Sequence, residues 1–307
     1  MVELQKLDSK SLNNIISSFF KLIRYKNILI ITITQIFSYF FLNDLIKFNE
    51  IFSSRFLYLI GATFLSAAAG YIINDYMDIK LDMVNKPKSV IIGKYISRRW
   101  AIFSHSAFNI SAITLAWFIS YRVAVLVFIC SLLLWLYSQF FKKSFLLGNI
   151  LVALMTASTI FILIPFDNRI NLIACLAYSI FAFFSNLIRE IIKDTEDIKG
   201  DFKFKANTIP IKLGVKKTKN ILVYLQIVFI VGCFILIFIY NKINFLNFIN
   251  FFSIYILITV LLPSIYILFL IKKADIKKDF TLISFLLKLI MILGILSMVF
   301  WKLTYFN

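Results

Sequence analysis

Nine apolar runs of roughly 20 residues, parted by short polar or charged breaks, decide what this 307-residue chain can fold into. A run of that length, coiled as an α-helix, matches the hydrocarbon thickness of a bilayer. The runs fall at about 24–43, 53–79, 99–120, 122–140, 148–166, 170–194, 217–240, 246–272 and 279–302. Turn or charge signals mark the breaks: Asn43-Asp44, Tyr121-Arg122, Lys142-Lys143, Pro165-Phe166-Asp167-Asn168 and Asn241-Lys242. Composition agrees, since 61% of the residues are hydrophobic, against about half in soluble domains. The first 20 or so residues are polar and basic and read as a surface helix.

The distribution of charge sets an orientation. With the N-terminus on the cytoplasmic side, the inward segments hold 25 Lys and Arg and the outward segments 6. Basic residues accumulate on cytoplasmic loops, so this bias supports nine spans. It also accounts for the net charge of +18 without a nucleic-acid partner. Cys130, Cys175 and Cys233 each lie inside an apolar run with no metal-ligand spacing, and read as buried thiols. His105, the single histidine, reads as an interhelical hydrogen-bonding group. No cleavable signal peptide is expected, because the first apolar run begins only near Asn27 and is too long.

Two acidic clusters carry the chemistry. Asp75, Asp78 and Asp82 follow one apolar run, and Asp194, Asp197 and Asp201 follow another. Within each, the spacing is i, i+3, i+7, which stacks the carboxylates on one helix face. Each member of the second cluster lies 119 residues after its counterpart, as do Ile191, Ile192 and Ile198 relative to Ile72, Ile73 and Ile79. Six of the 15 acidic residues thus form a matched repeat at cytoplasmic span ends. Carboxylates so stacked repel and call for a cation. Oxygen-only ligands suit a hard ion such as Mg²⁺, which keeps waters and completes its shell with phosphate oxygens. Lys86, Lys88, Arg189, Lys193 and Lys199 are near enough in sequence to take remaining phosphate charge. The loops at roughly 80–98 and 195–216 would cap the helix ends.

A diphosphate handled at a membrane edge is a lipid-borne one. Departure of diphosphate from an allylic prenyl chain suits these parts: the metal neutralises the leaving group, and a dry apolar cavity protects the carbocation. Aromatic residues, 17% of the chain, can face such a cation.

Asn74-Asp75-x-x-Asp78-x-x-x-Asp82 and Asp194-x-x-Asp197-x-x-x-Asp201 resemble the paired motifs of the UbiA-type intramembrane prenyltransferases. Arg24-Tyr25-Lys26-Asn27 is similar to that family's opening Arg-Pro-x-Asn, and Asn85-Lys86-Pro87 also matches. Lys88-Ser89 stands where Arg-Pro is usual, which keeps a cation but loses a bidentate fork. Tyr137 and Lys142 match the family's Tyr-x-x-x-Lys with one extra residue between them. The run Arg189 to Asp201, with Asn207-Thr208-Ile209-Pro210, most resembles the branch that prenylates geranylgeranylglyceryl phosphate.

The resemblance implies an all-α polytopic membrane protein, with nine transmembrane helices around a central cavity, an internal repeat and cytoplasmic cap loops. The whole chain would be one prenyltransferase domain, with Asp-rich halves at about 24–140 and 148–302. Asn74, Asp78, Asp82, Asp197 and Asp201 would hold Mg²⁺. Asp75 and Asp194 would bind metal, orient lysines or take the acceptor's proton. Lys86, Lys88, Arg189 and Lys193 would contact the diphosphate, and Asn27, Tyr137 and Lys142 the substrate. The expected partners are an isoprenyl diphosphate such as geranylgeranyl diphosphate, a lipophilic acceptor and membrane lipid, in the cytoplasmic membrane. A quinone-precursor acceptor and a cation transporter are the competing readings. The transporter reading suffers because the carboxylates sit at the membrane edge rather than at mid-depth. Lys288, inside the last run, reads either as a functional intramembrane charge or as a snorkelling side chain.

Overall fold

The computed structural model describes residues 9–43, 45–46, 48–85, 87, 90–203, 206–243 and 250–303. Among these residues the architecture is helical, with two isolated bridges, Asn43 to Ile170 and Ile92 to Ile96. The chain divides into two compact units, Met1–Ile33 with Ser54–Gln139, and Thr34–Ser53 with Phe140–Asn307.

The first unit holds α1 (Ser9–Leu22), the start of α2 (Tyr25–Phe41), α3 (Ser54–Met77), α4 (Ile79–Asn85), α5 (Arg98–Trp117), α6 (Tyr121–Leu136) and the start of the π turn that continues it, Tyr137–Phe141. Helix α3 is the centre of this unit and packs on α5 and α6. Small residues permit the close approach, as is usual where lipid offers no hydrophobic drive between helices. A Cβ on Gly70 would come within 2.9 Å of Leu134. His105 of α5 bonds the Ala69 carbonyl of α3 at 3.0 Å, the interhelical bond expected of it. Ile92, in the loop after the first acidic cluster, is buried with Leu22, Ile28, Ala68 and Ile72. That anchors the loop to the helix ends.

The second unit holds the rest of α2, α7 (Leu147–Phe161), α8 (Leu163–Phe166), α9 (Leu172–Glu196), α10 (Ile198–Lys203), α11 (Ile209–Ile243), α12 (Phe251–Ile256), α13 (Leu262–Lys273) and α14 (Lys277–Leu303). A π turn, Leu257–Leu261, joins α12 to α13. Helix α9 is central here, flanked by α7, α11 and α14. Asn171 caps its first turn by accepting from the Ala174 N–H at 3.1 Å. Helix α11 kinks at Gly214, whose φ of +77° favours glycine.

Seven helices among the described residues are long and apolar enough to cross a membrane: Ser54–Met77, Tyr121–Phe141, Leu147–Phe166, Leu172–Glu196, Ile209–Lys242, Phe251–Lys273 and Lys277–Leu303. The protein is an integral membrane protein. Tyr25–Phe41 and Arg98–Trp117 also hold helix where spans are expected. The first has 17 residues, and the second opens on two arginines and carries His105. Cys175 and Cys233 are buried free thiols, while Cys130 is only partly covered. Lys288 is half-buried within α14.

Candidate functional site

The two acidic clusters have the same local construction. Helix α3 ends at Met77, α4 begins at Ile79, and Asp78 alone separates them. Helix α9 ends at Glu196, α10 begins at Ile198, and Asp197 alone separates those. In the first cluster the Asp78 N–H bonds the Asn74 carbonyl at 3.0 Å, and the Asp82 N–H bonds the Asp78 carbonyl at 2.8 Å. In the second, the Asp197 N–H bonds the Lys193 carbonyl at 2.9 Å, and the Asp201 N–H bonds the Asp197 carbonyl at 3.1 Å. An offset of 119 carries Ser54–Met77 onto 173–196, within one residue of α9. The sequence repeat is therefore also a repeat of helix bounds and backbone bonding.

Within the first unit, Asp78 is buried with 6% exposure, and Asn74, Asp75 and Asp82 are half-buried. Asp75 accepts a hydrogen bond from Arg24 Nη2 at 2.9 Å and a long one from Asn74 Nδ2 at 3.5 Å. Arg24 lies 5.0 Å from the centre of the Tyr71 ring, and Tyr137 is near enough to interact with its charge. Arg24 holds a φ of +52°, a costly backbone state for a residue with a side chain. The turn between α1 and α2 is thus shaped to bring the guanidinium to Asp75. Asn27, one turn on, is half-buried. Lys86 and Lys88 lie outside the described residues.

Within the second unit, Asp194 accepts from Asn149 Nδ2 of α7 at 2.8 Å. Lys277, opening α14, donates to Asp197 Oδ1 at 3.2 Å, and Thr281 donates to Glu196 at 2.9 Å. Arg189 and Lys193 both reach Glu190, at 3.0 and 3.3 Å. The Nε of Arg189 is buried and makes no hydrogen bond. Burial, then the charge of Asp197, pushes the Asp201 carboxyl above its ordinary pKa, against the pull of Lys142 and Lys143. The backbone N–H of Asn207 bonds the Lys143 carbonyl at 2.8 Å, tying the loop after α10 to the segment before α7.

Crowded, partly desolvated carboxylates of this kind suit a hard cation. Among the described residues, no three His, Cys, Asp or Glu side chains gather closely enough to hold a metal ion by themselves. A site here would draw further oxygens from phosphate and water, as Mg²⁺ usually does.

Arg24, Asn149, Glu190 and Lys277 were not singled out as site residues by sequence. Arg24 had a signal, as the first residue of Arg24-Tyr25-Lys26-Asn27. Asn149 had a faint one, an amide in an apolar run. Nothing in the local sequence pairs Lys277 with a residue 80 positions earlier.

Residues 36–304 match the model of the UbiA prenyltransferase family. The chain is 36% identical to digeranylgeranylglyceryl phosphate synthase of Methanococcus maripaludis, over 65% of this chain and 69% of that one. It is 34% identical to the enzyme of the same name from Methanosphaera stadtmanae, over 54% of this chain and 60% of that one. The aligned stretch spans about three fifths of that second relative's length. A solved structure described as that of digeranylgeranylglyceryl phosphate synthase in membranes superposes with a TM-score of 0.74 at 25% identity, over 93% of this chain and 98% of that one. A UbiA homolog from Archaeoglobus fulgidus, bound to GPP and Mg²⁺, superposes with a TM-score of 0.62 at 13% identity, over 92% and 99% of the two chains, and shares the fold. The chain belongs to the UbiA prenyltransferase family.

Proposed function

We propose that the protein transfers a prenyl group from an isoprenyl diphosphate to a lipophilic alcohol, with geranylgeranylglyceryl phosphate as the favoured acceptor. The repeated Asp78 and Asp197 junctions carry this reading, because both place carboxylates at the end of a membrane-length helix. The curated relatives named for digeranylgeranylglyceryl phosphate synthesis favour the acceptor.

Asn74, Asp78 and Asp82 in the first unit, and Asp197 and Asp201 in the second, would supply oxygens to Mg²⁺. Bound Mg²⁺ would neutralise the diphosphate as it leaves. Arg189 and Lys193, with Lys86 and Lys88, would hold phosphate oxygens, and the unbonded Arg189 Nε has a donor to spare. Diphosphate binding would draw Lys193 from Glu190 at modest cost, since Lys193 is 42% exposed. The C–O bond to diphosphate breaks, the acceptor oxygen bonds to the allylic carbon, and the acceptor hydroxyl gives up its proton. We assign that proton to Asp194, because the Asp75 carboxylate is already taken by the Arg24 cation. Asn27, Tyr137 and Lys142 would contact the substrate. We read all nine helical positions as spans, with the N-terminus and both clusters facing the cytoplasm.

The test is turnover in reconstituted membranes with Mg²⁺ and radiolabelled geranylgeranyl diphosphate, offering geranylgeranylglyceryl phosphate and an aromatic carboxylic acid in parallel. Label should enter the glyceryl lipid. Label entering only the aromatic acid would keep the mechanism and replace the acceptor. No transfer by folded protein would remove the reading and favour ion transport.

A further inference from the structure

The second unit contains an apolar cavity of about 90 Å³ on the side of α9 away from Asp194. Tyr178 and Phe181 of α9 line it, and stand 16 and 13 residues before Asp194. At about 100° and 1.5 Å per residue, they point about 160° and 140° away from Asp194, and lie about 24 and 20 Å further along the axis. Packing agrees with this. Asp194 meets Asn149 of α7, whereas the cavity is walled by α11, α12 with the π turn after it, and α14. The cavity and the Asp194 carboxylate therefore lie on opposite faces and toward opposite ends of α9.

The cavity is built for hydrocarbon. Rings of Tyr178, Phe181, Tyr240, Phe252 and Trp301 line it, with Tyr240 and Trp301 only 4.1 Å apart between centres. Its hydroxyls are already engaged. Tyr178 and Ser297 share a 2.7 Å hydrogen bond, Ser297 also donates to the Gly294 carbonyl at 2.6 Å, and Tyr240 donates to the Trp301 carbonyl at 3.3 Å. A cavity so lined stays dry and takes apolar guests.

Its mouth is in the bilayer. Ile173 and Ile239 belong to the lining and are 52% and 40% exposed, on helices that cross the membrane. Asn171 marks the polar edge, and from there to Phe181 is about 15 Å along the helix. The space admits a chain segment on the order of half a dozen carbons.

We infer that this cavity is a lipid site, holding the end of a hydrocarbon chain of a bilayer lipid that enters between Ile173 and Ile239, at the end of α9 opposite Asp194. The site is independent of the transfer reaction.

The full chain, reconstituted in phosphatidylglycerol–phosphatidylcholine vesicles whose acyl chains end in a diazirine, tests this by irradiation and peptide mapping. Label should concentrate several-fold on 178–181 and 294–301, relative to the lipid-facing Phe238 and Phe269. Filling the cavity with Val260→Trp should remove that label and spare the two controls. Cys233→Leu gives a milder filling if Val260→Trp does not fold. Equal labelling of cavity and controls, or label unchanged by filling, overturns the proposal. Excess geranylgeranyl diphosphate with Mg²⁺ should leave the pattern unchanged. Displacement by it would give the cavity to the donor's tail and overturn the proposal as well.

Discussion

Asp78 and Asp197 are equivalent: each is the one residue at which a membrane-length helix gives way to a short helix, and each donates its backbone N–H to a carbonyl four residues earlier. Each junction carries a carboxylate between two helices while the backbone bonds to the carbonyl four residues earlier run on through it. Two of them, 119 residues apart, are hard to explain as ordinary helix ends. Asp78→Asn and Asp197→Asn should each lower transfer by more than about 100-fold, beyond what groups that only orient a ligand usually cost. Melting temperature in detergent should change little. Near-normal turnover in either variant removes the metal assignment.

Asn149 should matter through Asp194. Asn149→Ala leaves the carboxylate without its 2.8 Å donor. Activity should fall by roughly 10–100-fold, the range for a partner that orients a working group. Asn149→Gln, which keeps an amide, should recover part of it. Equal losses in both variants would point to packing of α7 on α9 instead.

Arg24 separates activity from stability. Its side chain is 44% exposed and that of Asp75 23%, so breaking the pair should cost less than about 1 kcal/mol of stability. Arg24→Ala should still depress transfer by about 10-fold or more, if the pair holds Asp75 in place. Arg24→Lys keeps the charge but not the planar contact with Tyr71, and should recover only part of the loss.

At the other end of the second unit, Asp167 accepts from Tyr39 at 3.1 Å, from Asn43 at 3.2 Å and from Arg169 Nη2 at 2.8 Å. Arg169 also reaches Glu50 at 2.6 Å. Burial alone would raise the Asp167 pKa, but the Arg169 and Tyr39 hydrogen bonds outweigh it and set it below the ordinary value. The stability it contributes is therefore present above about pH 4 and lost as pH falls through the lowered value. Thermal melts between pH 6 and pH 3 should show this loss, and Asp167→Asn should flatten that part of the curve. The cost at neutral pH should be about 1 kcal/mol, because Arg169 is 38% exposed.

Gly294 faces the ring of Phe181 so closely that a Cβ would overlap it. Gly294→Ala should displace the ring and cost about 1–3 kcal/mol through overpacking. A melting temperature equal to the parent's would show that Phe181 has somewhere to go.

What could be read from the sequence was local or periodic. Span positions follow from runs of apolar residues, because a helix in lipid needs about 20 of them. The acidic clusters follow from spacing, because i, i+3 and i+7 share a helix face whatever surrounds the helix. The equivalence of Asp78 and Asp197 was visible as an offset of 119. Packing decided the rest. That Asp75 meets Arg24, Asp194 meets Asn149 and Asp197 meets Lys277 depends on pairs 51, 45 and 80 residues apart. No periodicity encodes such pairs, since they arise only when helices settle side by side. The cavity beside Tyr178 has the same origin. Its residues read as ordinary apolar span, and only the way α9, α11 and α14 fail to fill the space between them leaves room for a chain that is not the protein's own.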